Sequence, residues 1–182
     1  MFSVIFPGQG SQSVGMTKDL YHKYSTVREI FEEADNVLGF SLSKLILEGP
    51  KDKLDETENT QPSIFLVGYS IFQLIKKDFI KNLNEAKFFA GHSLGEYTAL
   101  ACADALSFSD TLKLLRIRGK AMQEAVPKGE GGMCAILGST TEIVEKIINE
   151  NKSKYICYVA NDNSIGQLVV SGKLEALDLL AI

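Results

Sequence analysis

The pentapeptide Gly91-His92-Ser93-Leu94-Gly95, continued by Glu96-Tyr97, restricts the fold of this chain more than any other stretch. Ahead of it, Lys87-Phe88-Phe89-Ala90 is short and apolar enough for a buried strand. Behind it, Leu94 to Asp104 is rich in Leu and Ala and reads as a helix. A strand, a sharp turn and a helix with Ser at the apex form the setting that a G-x-S-x-G nucleophile elbow requires. A strained turn at Ser leaves no room for side chains two residues to either side, which explains the two glycines. The hydroxyl then stands at a helix start, where backbone N–H groups and the helix dipole favour negative charge on a reacting oxygen. The pentapeptide by itself fits a surface turn equally well; its flanks favour the elbow.

A chain of 182 residues suits one domain with a real core, or one domain with a small appendage. Its net charge of −4 argues against a nucleic-acid partner. The start, Met1-Phe2-Ser3-Val4-Ile5-Phe6-Pro7, lacks the basic region and small-residue cleavage site of a signal peptide and reads as a first strand. The longest apolar run, Ile64 to Ile75, is interrupted by Gly68, Ser70 and Gln73 and is too short to cross a bilayer. No membrane partner is expected, and the cytoplasm is the default compartment. Cys102, Cys134 and Cys157 sit singly among apolar neighbours and read as reduced core residues. With only two histidines in the chain, no metal site is expected.

Residues 2–6 run into Pro7-Gly8-Gln9-Gly10-Ser11-Gln12, a loop able to cradle an anion, although Gly-x-Gly more often marks a tight turn. Leu20, Tyr24, Val27, Phe31, Ala34 and Leu38 alternate spacings of four and three, so one helical face packs on a core and Gly39 stops the helix. His22 falls off that stripe and reads as a surface residue. Residues 39–60 are polar and irregular, with Glu48-Gly49-Pro50 as a turn, and are expected to form a solvated connection with short helical pieces. Thr60-Gln61-Pro62 opens Ser63 to Lys77, apolar on nearly every side and therefore a buried helix. Lys76, Lys77, Lys81 and Lys87 read as a solvated face in preference to a site for an acidic partner.

Leu106 to Asp110 supplies caps for a helix reaching about Val126 and ended by Pro127. Its expected apolar arc holds Leu114, Ala125, Met122, Leu115 and Val126, with Arg116, Lys113, Lys120 and Glu124 opposite. Arg118 falls inside that arc, between Leu114 and Met122. A permanently charged group there needs a partner, either a carboxylate of the fold or the carboxylate of a ligand; the pattern alone favours the former. From Lys128-Gly129-Glu130-Gly131-Gly132 the composition changes, which reads as a boundary. Beyond it come a strand (Met133 to Leu137), a helix capped by Ser139, a strand (Tyr155 to Ala160), a strand (Gln167 to Ser171) and a helix from about Lys173. That order is βαββα, one strand short of a ferredoxin-like unit.

Four stretches in register resemble the malonyl-CoA:acyl carrier protein transacylase family: Phe6 to Gln12, Gly91 to Tyr97, Arg116 to Gly119 with Met122-Gln123, and Ala160-Asn161-Asp162-Asn163 followed by Gln167 to Gly172. The resemblance runs from Met1 to the end. It implies an α/β fold, with an α/β-hydrolase-like large core in residues 1–127 and part of a ferredoxin-like small subdomain in residues 128–182, the site lying between them. It implies that Ser93 takes a malonyl group from malonyl-CoA as an ester. The phosphopantetheine thiol of acyl carrier protein would then receive it, in fatty-acid synthesis, with no cofactor. The N–H groups of Gln12 and Leu94 match the family's oxyanion hole. Arg118 matches the arginine that pairs with the malonyl carboxylate, which reverses the preference from pattern; Met122 would line that pocket and His92 would flank it.

The family's base is a His C-terminal to the small subdomain, and no such position falls within this sequence, whose histidines are His22 and His92. Side chains next to an elbow serine diverge from it, so a straight hydrogen bond from His92 to Ser93 is not expected. The apolar end Leu179-Leu180-Ala181-Ile182, with no closing strand, fits a truncated chain or a C-terminal helix packed on the sheet; with no base His, low activity is expected of these residues alone. Two other readings stay open: a serine hydrolase with water as acceptor, and a non-catalytic remnant that binds CoA or carrier protein.

Overall fold

Two short apolar segments far apart in sequence make the first sheet. In the computed structural model, which describes residues 2–80, 82–126, 129–153 and 156–180, β1 (Ser3–Phe6) and β2 (Phe88–Gly91) pair in parallel, from Ser3 beside Phe88 to Phe6 beside Gly91. The chain divides into two units, Met1–Gln123 and Glu124–Ile182. In the first, α1 (Lys18–Lys23), α2 (Ser25–Leu38), α3 (Leu42–Glu48), α4 (Lys51–Leu54) and α5 (Thr57–Asp78) lie between the two strands in sequence. A 3-10 turn (Leu83–Glu85) precedes β2, and α6 (Leu94–Cys102) and α7 (Phe108–Glu124) follow it.

The stripe expected on one helix is carried by two. Tyr24 is extended (φ −118, ψ 124), and Arg28 Nη1 donates to the carbonyls of Tyr21 and His22 at 3.0 and 2.9 Å, which caps α1 from the next helix. Val27, Phe31 and Ala34 are fully buried, and Gly39 stops α2 at φ 73. His22 is exposed, its ring set edge-on to Tyr21.

Residues 39–60 hold the short helical pieces expected, α3 and α4, but these pack on the core instead of forming a solvated connection. Leu42, Ile46 and Leu54 are fully buried, because the two short helices α3 and α4 turn their charges outward, where Lys51 pairs with Asp55 and Lys53 with Glu56. The buried helix also starts earlier than expected, at Thr57, with Pro62 inside it. Proline has no N–H to give the carbonyl of Glu58, and Arg116 Nη1 supplies that bond instead at 2.8 Å. An arginine expected on the solvated face of α7 is thus half-buried. It also pairs with the Glu58 carboxylate at 3.4 Å and lies over the Phe40 ring.

The buried face of α7 comprises Phe108, Thr111, Leu112, Leu115 and Gly119, and shares only Leu115 with the arc expected. Leu114 is 44% exposed. The shift follows from Gly119: a Cβ there would lie 2.6 Å from the carbonyl oxygen of Thr57, so the glycine is where α7 closes on α5. Around α5, Phe31, Phe65, Leu66, Leu94, Leu112 and Leu115 form one cluster; Phe6, Phe72, Ala99 and Cys102 form another.

Two predictions arise here. Thr98 Oγ1 is buried with no hydrogen-bond partner among the described residues. An isosteric Thr98→Val change removes that hydroxyl and should raise unfolding stability by about 1 kcal/mol in urea titration. The three thiols also differ. Burial pushes the Cys102 thiol up to about 12 and raises that of Cys157, while Cys134 is only half-buried, not the core residue expected. Because the thiolate is the reactive form, native alkylation near neutral pH should modify Cys134 first and leave Cys102 untouched until unfolding. Early labelling of Cys102 in peptide maps would contradict this.

The second unit is a three-stranded antiparallel sheet ordered β3-β5-β4, from β3 (Gly131–Leu137), β4 (Cys157–Ser164) and β5 (Gln167–Lys173). Its helices are α8 (Thr141–Glu150) and α9 (Leu174–Leu180). Thr140, not Ser139, caps α8, its side chain accepting from the N–H of Ile143. β4 continues beyond Ala160, because register shifts between Val159 and Asn161 and between Asp162 and Ser164 absorb the residues expected to turn. Val144, Ile148, Leu168, Val170 and Leu177 make its core. The expected features at Lys81, Pro127, Lys128, Tyr155 and Ala181-Ile182 lie outside the described residues. No described helix is long and apolar enough to cross a membrane, and no described cluster of His, Cys, Asp and Glu could hold a metal ion.

Candidate active site

The turn after β2 holds Ser93 at φ 54 and ψ −108, a backbone conformation that costs a non-glycine residue roughly 1–3 kcal/mol. The surroundings impose it. Gly95 N–H donates to the His92 carbonyl at 2.9 Å and Glu96 N–H to the Ser93 carbonyl at 3.1 Å, closing the turn. A Cβ on Gly91 would overlap the backbone of Gly95, and one on Gly95 would lie 2.5 Å from the Phe6 carbonyl oxygen. Both glycines are therefore needed for helix α6 to start hard against the two strands. Ser93 is exposed at its head. Leu94 is the first residue of α6, so its N–H has no carbonyl one turn back within the helix.

The loop after β1 meets this elbow because β1 and β2 are parallel neighbours whose ends lie side by side, a common place for ligands in parallel sheets. His92 N–H donates to the Phe6 carbonyl at 3.2 Å. Gly8 lies against the His92 ring, where a Cβ would be 2.5 Å from Nδ1. Further along, the Gln12 side chain is used within the scaffold: Nε2 donates to Asp55 at 3.0 Å and Oε1 accepts from the Gly10 N–H at 2.9 Å. Hydrogen bonds from Lys51 and then from Gln12 hold the Asp55 carboxyl below the usual carboxylate range.

Arg118 reaches the elbow from α7. Its Nη2 donates to Ser93 Oγ at 3.0 Å, its Nη1 donates to Gln61 Oε1 at 2.8 Å, and its guanidinium lies 5.8 Å from the centre of the Tyr97 ring. Gln61 Nε2 in turn donates to Met122 Sδ at 3.1 Å. The residues singled out in the sequence thus come together as Ser93, Arg118 and Met122, with His92 and the first loop on the β1 side. Arg118 meets two neutral acceptors; it is Arg116 that pairs with a carboxylate of the fold. A guanidinium donates and stays charged, so Arg118 is able to stabilise an oxyanion or a carboxylate and unable to take a proton from Ser93. Sequence reasoning gave no role to Gln61 or Tyr97. Gln61 sits beside a proline in the polar first turns of α5, and only the packing of α5 on α7 reveals what it faces.

The acyl transferase domain profile matches residues 3–181. The chain is 41% identical over 180 residues to the malonyl CoA-acyl carrier protein transacylase of Haemophilus influenzae, covering 99% of this chain and 57% of that protein. It is 42% identical over 176 residues to the protein of the same name from Bacillus subtilis, covering 96% of this chain and 54% of that protein. Among solved structures, an acyl-carrier-protein-S-malonyltransferase from Bartonella henselae superposes with a TM-score of 0.90 at 42% identity, over 99% of this chain and 58% of that one. The chain spans a little over half the length of the curated relatives it matches. An α/β fold shared with these structures, and a family match over nearly every residue, place the chain in the acyl transferase domain family.

Proposed function

We propose that this chain carries the malonyl-binding part of a malonyl-CoA:acyl carrier protein transacylase, with fatty-acid synthesis in the cytoplasm as its setting. Ser93 Oγ attacks the thioester carbonyl, the C–S bond breaks, CoA leaves as its thiol, and the malonyl group remains as a serine ester. The phosphopantetheine thiol of acyl carrier protein then attacks that ester and Ser93 regains its proton. The N–H groups of Gln12 and Leu94 hold the oxyanion of each tetrahedral intermediate, a type of contact worth roughly 3 kcal/mol per donor. Arg118 binds the distal carboxylate, Met122 lines the acyl pocket and His92 flanks it. No cofactor enters the cycle.

The observation that carries this reading is the single guanidinium 3.0 Å from the elbow hydroxyl. A cation that close to the nucleophile suits an acyl group with an anion on its far end, because the two ends of a three-carbon unit must be held together. Arg118 cannot take the serine proton, and the resemblance assigns that task to a His at a position not among these residues; ester formation by the 182-residue chain alone should therefore be slow. The first unit is read as the larger part of an α/β-hydrolase-like core. The second is read as a ferredoxin-like subdomain, supported by β5 lying antiparallel between β3 and β4 in the manner of a split βαβ unit. The similar malonyl-transacylase solved in complex with a type II PKS acyl-carrier protein, at 38% identity and TM-score 0.87, supports a carrier protein as acceptor. Incubation with malonyl-CoA followed by holo carrier protein should move the malonyl group from Ser93 to the carrier. Release as free malonate, unaffected by carrier, would favour a hydrolase.

A further inference from the structure

Gln61 is 1% exposed, yet it is polar and stands at the centre of the α5–α7 contact. Both ends of its amide are used, and both lead to candidate substrate-binding residues: Oε1 accepts from Arg118 and Nε2 donates to Met122. Arg118 and Met122 are four residues apart on α7, so one amide on α5 spans the two side chains that a helical turn brings to one face. The contact is held rigidly on either side. Gly119 lets the helices approach until a Cβ would be 2.6 Å from the Thr57 carbonyl, and Arg116 ties α7 to Glu58 and Asn59. Next to Gln61, the Thr60 hydroxyl bonds the Leu54 carbonyl and the Ser63 hydroxyl bonds the Asn59 carbonyl, so this turn of α5 has little freedom.

What matters chemically is that the acceptor is neutral. A carboxylate in this place would complete a buried ion pair, and an arriving carboxylate would meet a neutralised guanidinium and a like charge behind it. An amide orients the fork and leaves its full positive charge for the ligand. We infer that Gln61 is a positioning residue that holds Arg118 without neutralising it, and so sets the preference of this site for acyl groups ending in a carboxylate. This rests on the malonyl-transfer reading above.

The test compares Gln61→Glu with Gln61→Met in the full chain. It follows the second-order rate of Ser93 acylation by malonyl-CoA and by acetyl-CoA, with urea unfolding as a check on the fold. Glu keeps a hydrogen-bond acceptor but adds charge; Met keeps the volume and removes the bond. A purely structural role makes Glu the milder change. Positioning by a neutral acceptor makes it the more severe one for the malonyl/acetyl ratio, which should fall roughly thirtyfold in Gln61→Glu and only about fivefold in Gln61→Met, chiefly through malonyl-CoA binding. If Gln61→Met does not fold, Gln61→Asn, neutral and one methylene too short to reach the guanidinium, takes its place. A ratio that Gln61→Glu retains, or loses less than the neutral variant does, overturns this inference alone. A wild-type chain with no preference for malonyl-CoA overturns the malonyl-transfer reading itself, and this inference with it.

Discussion

Arg118→Ala should slow acylation of Ser93 by malonyl-CoA roughly a hundredfold while leaving acetyl-CoA within about threefold. The size follows from the bonds removed. Charge-assisted hydrogen bonds contribute roughly 1.5–3 kcal/mol each, and a bidentate carboxylate contact supplies two, discounted here because Arg118 is half-exposed. About 3 kcal/mol is close to two powers of ten in rate. The asymmetry between substrates is the informative part, since Nη2 also touches Ser93 Oγ at 3.0 Å. If the guanidinium worked mainly on the nucleophile, both acyl donors would slow equally. Arg118→Lys should recover little for malonyl-CoA, because an ammonium lacks the planar fork that holds two oxygens and the Gln61 amide at once.

A comparably large effect is expected on stability from Gly95→Ala. The added Cβ would lie 2.5 Å from the Phe6 carbonyl oxygen and 2.7 Å from that of Pro7, both backbone atoms of the strand and loop beneath α6. No side-chain rotation relieves such contacts; the helix must back away from β1, and the elbow with it. A loss of about 3 kcal/mol or more, or failure to fold, is expected from urea midpoints. Gly68→Ala provides the contrast. It is also inside a helix, but its Cβ would meet Thr98 Cγ2 at 3.3 Å and Phe6 Cδ1 at 3.6 Å, and alanine favours helix by about 1 kcal/mol, so the two effects nearly cancel. Equal losses for both substitutions would contradict close backbone approach as the reason for Gly95.

The elbow was legible in the sequence because its constraint is local: strand, glycine, serine, glycine and helix follow within a dozen residues. The apolar stripe of α2 was legible for the same reason. What escaped depended on partners distant in the chain. Leu42, Ile46 and Leu54 lie among charges that only the short helices turn outward. The face of α7 was misread because Gly119, without a side chain, adds nothing to a hydrophobic pattern yet determines where two helices touch. The helical pattern put Arg116 on the solvated face and Arg118 in the apolar arc, and named a partner for neither. Their different fates, one bonded to the carbonyl that Pro62 leaves open and one extended to Ser93, are set by α5. Gln61 gave no signal because it sits in the polar first turns of α5, among Asn59, Thr60 and Ser63, where nothing local distinguishes one polar side chain from the next.

The most direct test of Ser93 as acyl carrier and Arg118 as its selector is the intact mass of the chain after prolonged incubation with excess malonyl-CoA, alongside acetyl-CoA and a Ser93→Ala control. A malonyl adduct that accumulates slowly, maps to Ser93, is absent from Ser93→Ala and exceeds the acetyl adduct is the predicted result. An adduct that persists in Ser93→Ala, equal labelling by acetyl-CoA, or no adduct at all would contradict it.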